Sequence, residues 1–294
     1  MTSKSNGKAK SKSRLGQNFL TDDHAAQRIV AALGDVAGRT VVEIGPGRGA
    51  ITGALAAQAG HVLAIELDRD LANGLREQLR PDRVTVIQED VLDFDFVSAC
   101  AQYSTGQAEA TRLRVVGNLP YYITSPILLK LAASHAAIEL AVLMVQREVA
   151  DRVTARPGSR DYGLLSVTVQ MYGPVDRLFT LPPGSFSPPP EVHSTLFRWR
   201  FAPHFVELGV EESDFLRFVR AAFAQKRKTL ANNLRAGGIS SALAASALAA
   251  TGISPSSRAE GLSLEDFAAL QRYLDSENAF GANRAAGPNS PPES

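Results

Sequence analysis

Five stretches between residues 40 and 146 are almost continuously apolar: "TVVEI" (40–44), "HVLAIEL" (61–67), "RVTVIQ" (83–88), "LRVVGN" (113–118) and "ELAVLMVQ" (139–146). Short runs rich in Val, Ile and Leu, with no strict alternation, predict strands covered on both faces, as in a parallel sheet. Between them, "AITGALAAQA" and "RDLANGLREQL" space their apolar residues as a helix does. Strand, helix, strand in repetition predicts a doubly wound α/β sheet. Two further strand-like runs, "PVDRLFTL" and "STLFRWRF", occupy 174–201 and are joined by the proline-rich "PPGSFSPPPEVH".

The pattern changes near residue 203. "SDFLRFVRAAFAQKRKTLANNL" places Phe215, Phe218, Val219, Ala222 and Phe223 on one helical stripe. "SALAASALAA" and "SLEDFAALQRYL" are also helical, with Ser263 set as a cap ahead of Glu265 and Asp266. The expected organisation is therefore a basic flexible tail (1–14), an α/β domain (15–203), a small all-helical domain (204–277) and a polar, disordered tail (278–294).

Composition narrows the class. At 294 residues, with 45% hydrophobic and 21% charged residues, the chain is that of a soluble globular protein of one large and one small domain. Its most hydrophobic stretch, "AAIELAVLMVQ", is short and carries Glu139, which argues against a membrane span. The N-terminus is basic without an apolar core, which argues against a secretory signal. A lone Cys100 fits a reducing cytoplasm, and the five histidines show no metal-ligand spacing. Net charge is +1, but Lys4, Lys8, Lys10, Lys12 and Arg14 lie together without an acid, and "QKRK" (225–228) forms a second cluster. Such runs are solvated surface or contacts for a phosphate backbone.

The strongest local motif is "VVEIGPGRGAIT" (41–52). Gly45, Gly47 and Gly49 follow a strand and open a helix, so backbone N–H groups and the helix N-terminus can approach a ligand closely. Glu66 ends the second strand, 21 residues after Gly45, where its carboxylate can accept both hydroxyls of a ribose. Asp90 follows the third strand, where it can accept an exocyclic amine or merely cap a helix. Together these residues describe an adenosine pocket at the C-terminal edge of the sheet. NAD and S-adenosylmethionine both contain adenosine, and the pocket alone leaves both open.

"GNLPYY" (117–122) separates them. The exocyclic amine of adenine is a poor nucleophile because its lone pair is delocalised, and a reacting base has to be held out of its stack. The Asn118 side-chain oxygen and the Leu119 carbonyl can accept its two N–H bonds, Pro120 stiffens the turn, and Tyr121 offers a ring for stacking. Hydride transfer needs none of these groups.

With these motifs the chain resembles the small-subunit ribosomal RNA adenine dimethyltransferases, over residues 14–275. "LGQNFL" (15–20) resembles that family's N-terminal motif, and the resemblance implies cofactor contacts from Asn18 and the Leu20 backbone. "EIGPGRGAIT", "AIELD", "EDVLDFD" and "GNLPYYITSPIL" resemble its glycine loop, ribose acid, adenine acid and catalytic loop. "FSPPPEVHS" (186–194) matches F-x-P-x-P-x-V-x-S, which implies that Phe186 packs against the flipped base; a packing plug is the plainer reading of that ring. The resemblance further implies a class I methyltransferase core with a helical C-terminal domain. It implies S-adenosylmethionine as methyl donor, with 15–203 as the domain that binds it. The implied substrate is N6 of two adjacent adenines in the 3'-terminal hairpin loop of small-subunit (16S) rRNA, methylated during 30S subunit biogenesis. The expected partner is small-subunit rRNA or a 30S precursor, and the expected state is a cytoplasmic monomer with neither membrane nor metal. The alternatives are a resistance-type dimethylase of large-subunit RNA, a ribosome-assembly binding factor and, more remotely, a nicotinamide enzyme.

Overall fold

A computed structural model describes residues 17–103 and 112–277. The basic tail, the 278–294 tail and part of the insert before the fourth apolar run lie outside the described residues. The elements run β1 (Phe19–Leu20), α1 (Asp23–Ala32), β2 (Thr40–Ile44), α2 (Ala50–Ala56), β3 (His61–Glu66), α3 (Arg69–Gln78), β4 (Val84–Gln88), α4 (Phe96–Tyr103), β5 (Leu113–Asn118), α5 (Thr124–Ala133) and β6 (Ile138–Gln146). They continue with α6 (Arg147–Val153), α7 (Leu164–Met171), β7 (Val175–Leu181), β8 (Phe186–Ser187) and β9 (Ser194–Arg200). Five helices close the order: α8 (Phe205–Leu208), α9 (Glu212–Ala222), α10 (Leu230–Ala236), α11 (Ser241–Ala250) and α12 (Leu264–Ser276).

Seven strands form one sheet in the order β4-β3-β2-β5-β6-β9-β7. The first five are parallel and the last two antiparallel. From β2 the chain winds outward through β3 and β4 and then returns to β5 on the other side. The strand order thus reverses between β2 and β5, and a crevice opens outside their carboxyl ends. The expected doubly wound sheet is present.

The pleat sends alternate residues to two apolar layers. Val41, Val62, Val116 and Val142 join Ile29, Val30 and Leu55 of α1 and α2 on one face. Val42, Leu63, Val115 and Leu143 join Ile127, Leu128 and Leu131 of α5 on the other. That second layer continues without a break into Trp199, Phe205, Phe215, Phe218 and Phe267, so the C-terminal helices pack on the core beneath the sheet.

Two expectations need correction. The run at 83–88 is only partly covered: β4 is the sheet edge, Val86 and Ile87 pack against opposite layers while staying partly exposed, and of its residues Val84 alone is fully buried. The stretch 213–234 keeps its stripe on α9, where Phe215, Phe218, Val219 and Ala222 are buried, but it is not one helix. It breaks after Ala222, Phe223 becomes the cap residue, and Thr229 restarts the chain by accepting from the Asn232 N–H. The cause is tertiary: the buried Asn233 donates from Nδ2 to the Ala222 carbonyl at 2.7 Å and so closes the end of α9. Ser263 caps α12 as expected, in a reciprocal box with Asp266.

Candidate active site

The crevice at the β2/β5 reversal is lined by Asn18, Leu20, Gly45, Gly47, Glu66, Asp90, Asn118, Leu119, Pro120 and Tyr121, among others. Apart from Gly49 and Phe186, these are the ligand-facing residues singled out in the sequence, and the fold brings them to one cavity.

Each is placed by local rules. Gly47 has φ 59°, a left-handed backbone that L side chains avoid, and a Cβ there would lie 2.9 Å from the Phe19 ring. The loop therefore closes over Phe19, and the Arg48 guanidinium covers that ring at 4.5 Å. Glu66 is buried at the end of β3. Its Oε2 accepts from the Gly47 N–H at 3.0 Å and its Oε1 from the Asp68 N–H at 2.9 Å. Burial raises its pKa and these backbone donors oppose the rise. Each oxygen keeps a lone pair for a ligand. Asp90 accepts from the Leu92 N–H at 2.9 Å, so it does cap a turn, as well as lining the cavity.

"GNLPYY" is explained by its neighbours. A Cβ on Gly117 would lie 2.8 Å from the Ile44 carbonyl oxygen, so glycine permits β2 and β5 their close approach. The Asn118 Nδ2 donates to the Asn18 carbonyl at 2.9 Å, which ties β1 to the end of β5 and leaves the amide oxygen as an acceptor. The Leu119 N–H donates to the Met144 carbonyl at 2.9 Å and fixes the turn against β6. Tyr121 is half-buried, and its hydroxyl pairs with the Ser194 hydroxyl at 2.8 Å. Burial raises its pKa, so the phenol stays neutral.

Phe186 departs from expectation. It is 3% exposed, pairs with Leu20 across the small β1–β8 ladder, and packs in the apolar layer with Leu181 and Leu196. The structure does not bring its ring to the cavity, and the plainer packing role is the one its burial supports. The same ladder explains why "LGQNFL" and "FSPPPEVHS" occur together: Phe19 and Leu20 register against Ser187 and Phe186.

Sequence reasoning passed over Glu43, Phe19, Arg48, Leu67, Glu89 and Tyr122, all of which line the cavity. Glu43 is the most informative. It is 1% exposed and its Oε2 has no hydrogen-bond partner. Burial pushes its pKa up to about 7 and the nearby Glu66 charge adds to the rise, while the Thr52 hydroxyl opposes it from too poor a geometry for a well-formed bond. A single acid inside the apolar run "VVEI" was the available signal. Tyr122 is 60% exposed, a large ring presented to solvent beside Tyr121.

The cavity therefore gathers carboxylates from Glu43, Glu66, Glu89 and Asp90, with one guanidinium at its rim. A ligand suited to it is rich in hydrogen-bond donors and carries positive charge. S-adenosylmethionine offers ribose hydroxyls, an exocyclic amine, an ammonium and a sulfonium, and so fits this donor set. A dinucleotide pyrophosphate would bring two negative charges among these acids.

The sheet order, the glycine turn after β2 and this acceptor-lined crevice define a class I methyltransferase. The sequence profile of ribosomal RNA adenine dimethylases matches residues 8–276, and the chain belongs to that family. It is 57% identical over 267 residues to the ribosomal RNA small subunit methyltransferase A of Acidobacterium capsulatum, which covers 90% of this chain and 92% of that protein. It is 48% identical to the protein of the same name from Koribacter versatilis, over 93% of this chain and 98% of that one. Among solved structures, a dimethyladenosine transferase from Plasmodium falciparum matches with a TM-score of 0.70 at 21% identity, covering 88% of this chain and 98% of that one. The 23S rRNA methyltransferase ErmE matches with a TM-score of 0.64 at 25% identity, covering 88% and 100%.

Proposed function

We propose that this chain transfers methyl groups from S-adenosylmethionine to N6 of two adjacent adenines in the 3'-terminal hairpin loop of small-subunit rRNA, during biogenesis of that subunit. The names of its relatives support the subunit and the donor-rich fit of the cavity supports the cofactor. When bound, the cofactor supplies a methyl group on a cationic sulfur. Residues 15–203 supply the donor pocket and the helices of 204–277 extend the surface that meets RNA. The enzyme works as a cytoplasmic monomer; among the described residues no helix is long and apolar enough to cross a membrane.

The observation that carries this reading is the orientation of Asn118. Its Nδ2 is occupied by the Asn18 carbonyl, so Oδ1 is the atom left to accept an amine N–H at the cavity mouth. With the Leu119 carbonyl as second acceptor, the adenine amine is held with its lone pair turned toward the donor pocket. Pro120 fixes the turn, Tyr121 supplies a ring anchored through Ser194, and the exposed Tyr122 supplies a second aromatic face beside it. Glu66 holds the ribose, Asp90 the adenine amine of the cofactor, and Asn18 and Leu20 close the cavity from β1. Phe186 supports this wall from behind through Leu20.

Labelled methyl donor and small subunits from a strain lacking the methylation test the reading. Wild type labels the RNA, and Asn118→Ala lowers the single-turnover rate by about 100-fold, the usual cost of one well-placed polar group at a reacting atom. Donor affinity in Asn118→Ala stays close to wild type. Collapse of donor binding with normal turnover at saturation would contradict the assignment.

A further inference from the structure

A second cavity, of about 320 Å³, lies at the opposite end of the same strands and is lined by Arg112, Arg114, Arg198 and Arg200 with Glu139. Arg112 and Arg114 stand at the start of β5, Glu139 at the start of β6, and Arg198 and Arg200 near the end of antiparallel β9. The four β-strand steps from Arg114 to Asn118 separate it from the reacting end by roughly 13 Å, and Arg112 lies further out. We propose that this cavity binds a phosphate group of the RNA backbone, a contact separate from the catalytic crevice. The proposal rests on the RNA substrate argued above.

Local structure accounts for part of this cluster. Arg114 donates from one terminal nitrogen to the Leu33 and Asp35 carbonyls, which closes the end of α1, and Arg112 donates to the Ile138 and Phe201 carbonyls at 3.3 Å. These bonds explain why two arginines sit beneath the sheet. They do not explain the rest.

Arg198 and Arg200 are two apart on β9 and so share one face, while Trp199 between them is buried on the other. Both lean on one carboxylate, that of Asp176, at 3.1 and 2.8 Å. Glu139 is likewise shared, between Arg39 and Arg114. Five guanidiniums thus face two carboxylates, and the Asp35 carboxylate at the margin is turned to the Ala37 N–H. Positive charge is left over at one edge of a protein whose net charge is only +1.

The buried Nε of Arg114 and the buried Nε of Arg198 have no hydrogen-bond partner. Among the described residues eight buried side-chain polar atoms are in that condition, and two of them belong to arginines that line this one cavity. Arg114 as a whole is 9% exposed. An unpaired buried donor is costly, and a charged one more so, unless a partner arrives. A phosphodiester brings two non-bridging oxygens and one negative charge, which match a cavity walled by an excess of guanidinium.

The test compares wild type, Arg200→Gln and the double variant Arg198→Gln/Arg200→Gln for small-subunit binding across a salt series. The expected result is a loss of affinity on the order of 10-fold in the double variant, with the slope of log affinity against log salt shallower by about one. Methyl-donor affinity should stay unchanged. If the double variant melts early, Arg200→Gln, whose side chain is 46% exposed, carries the comparison alone. Unchanged subunit affinity and slope in both variants would overturn the proposal. So would inorganic phosphate that broadens its own phosphorus resonance with wild type but not with the double variant while subunit binding is unaffected, because the cavity would then serve free phosphate. Failure of the wild type to methylate small subunits would remove the proposed function first, and this RNA contact with it.

Discussion

Strands β5 and β6 begin among arginines and end among acceptors. At their N-terminal edge Arg112, Arg114 and Glu139 meet Arg198 and Arg200; at their C-terminal edge Asn118 and Leu119 face a crevice that also holds Glu43, Glu66 and Asp90. A parallel sheet buried on both faces can place polar chemistry only at its two rims, because strand interiors such as Val115 and Val142 are committed to packing. The rims differ in what they leave unsatisfied. The C-terminal rim has an unpartnered carboxyl oxygen on Glu43, which suits the cationic, donor-rich ligand proposed for it; the N-terminal rim has unpartnered guanidinium donors, which suit the anion proposed there. One fold thereby separates an acid-lined cavity from an arginine-lined one.

The largest effect expected on this comparison concerns the wall between site and core. Phe186→Ala should destabilise the protein by about 3–5 kcal/mol, as truncation of a buried Phe does, and lower the melting temperature. Below that temperature methyl transfer should survive. A normal melt with lost transfer would instead make Phe186 a contact of the base.

Glu43 sharpens the acidic side. A carboxyl raised from 4.5 to about 7 on folding is protonated in the folded state and ionised in the unfolded one between those values. Its contribution to stability is complete below pH 4.5 and is lost as pH rises through about 7, amounting to up to about 3 kcal/mol. Glu43→Gln, which stays neutral, should therefore be more stable than wild type at pH 8 and closely similar at pH 4. Chemical denaturation at the two pH values reads this directly, and a constant difference would show that Glu43 is ionised in the fold.

Glu66→Ala should weaken methyl-donor binding by roughly 1.5–3 kcal/mol, the worth of a hydrogen bond to a charged partner. Equal affinity by calorimetry would remove Glu66 from the pocket. The smallest effect belongs to Tyr121→Phe. It breaks the hydroxyl pair with Ser194, costs about 1 kcal/mol of stability, and keeps most activity because the ring remains. Activity lost at unchanged stability would give the hydroxyl a part in the reaction.

Much of the C-terminal rim was legible because its chemistry sits in sequence at strand ends. "EIGPG", "AIEL" and "GNLPYY" each follow an apolar run, and a parallel sheet brings such ends together. What escaped depended on contacts distant in the chain. The β1–β8 ladder joins Phe19 to Ser187 and Leu20 to Phe186, residues more than 160 apart in the chain, and turned Phe186 into the core. The break after Ala222 is made by Asn233, where local propensity favours continuing the helix. Glu43 passed as a strand residue because its significance lies in having no partner, which only packing reveals. The arginine rim escaped for the same reason: the pair Arg112 and Arg114 lies far along the chain from the pair Arg198 and Arg200, and only strand order places β9 beside β6.

The central claim is methyl transfer to adjacent adenines of small-subunit RNA, and mass spectrometry of nuclease digests tests it most directly. Wild-type protein, S-adenosylmethionine and unmethylated small subunits should yield N6,N6-dimethyladenosine at two neighbouring positions near the RNA 3' end, while large subunits treated alike remain unmodified. Dimethyladenosine in the large-subunit RNA alone, or none in either, would contradict the account.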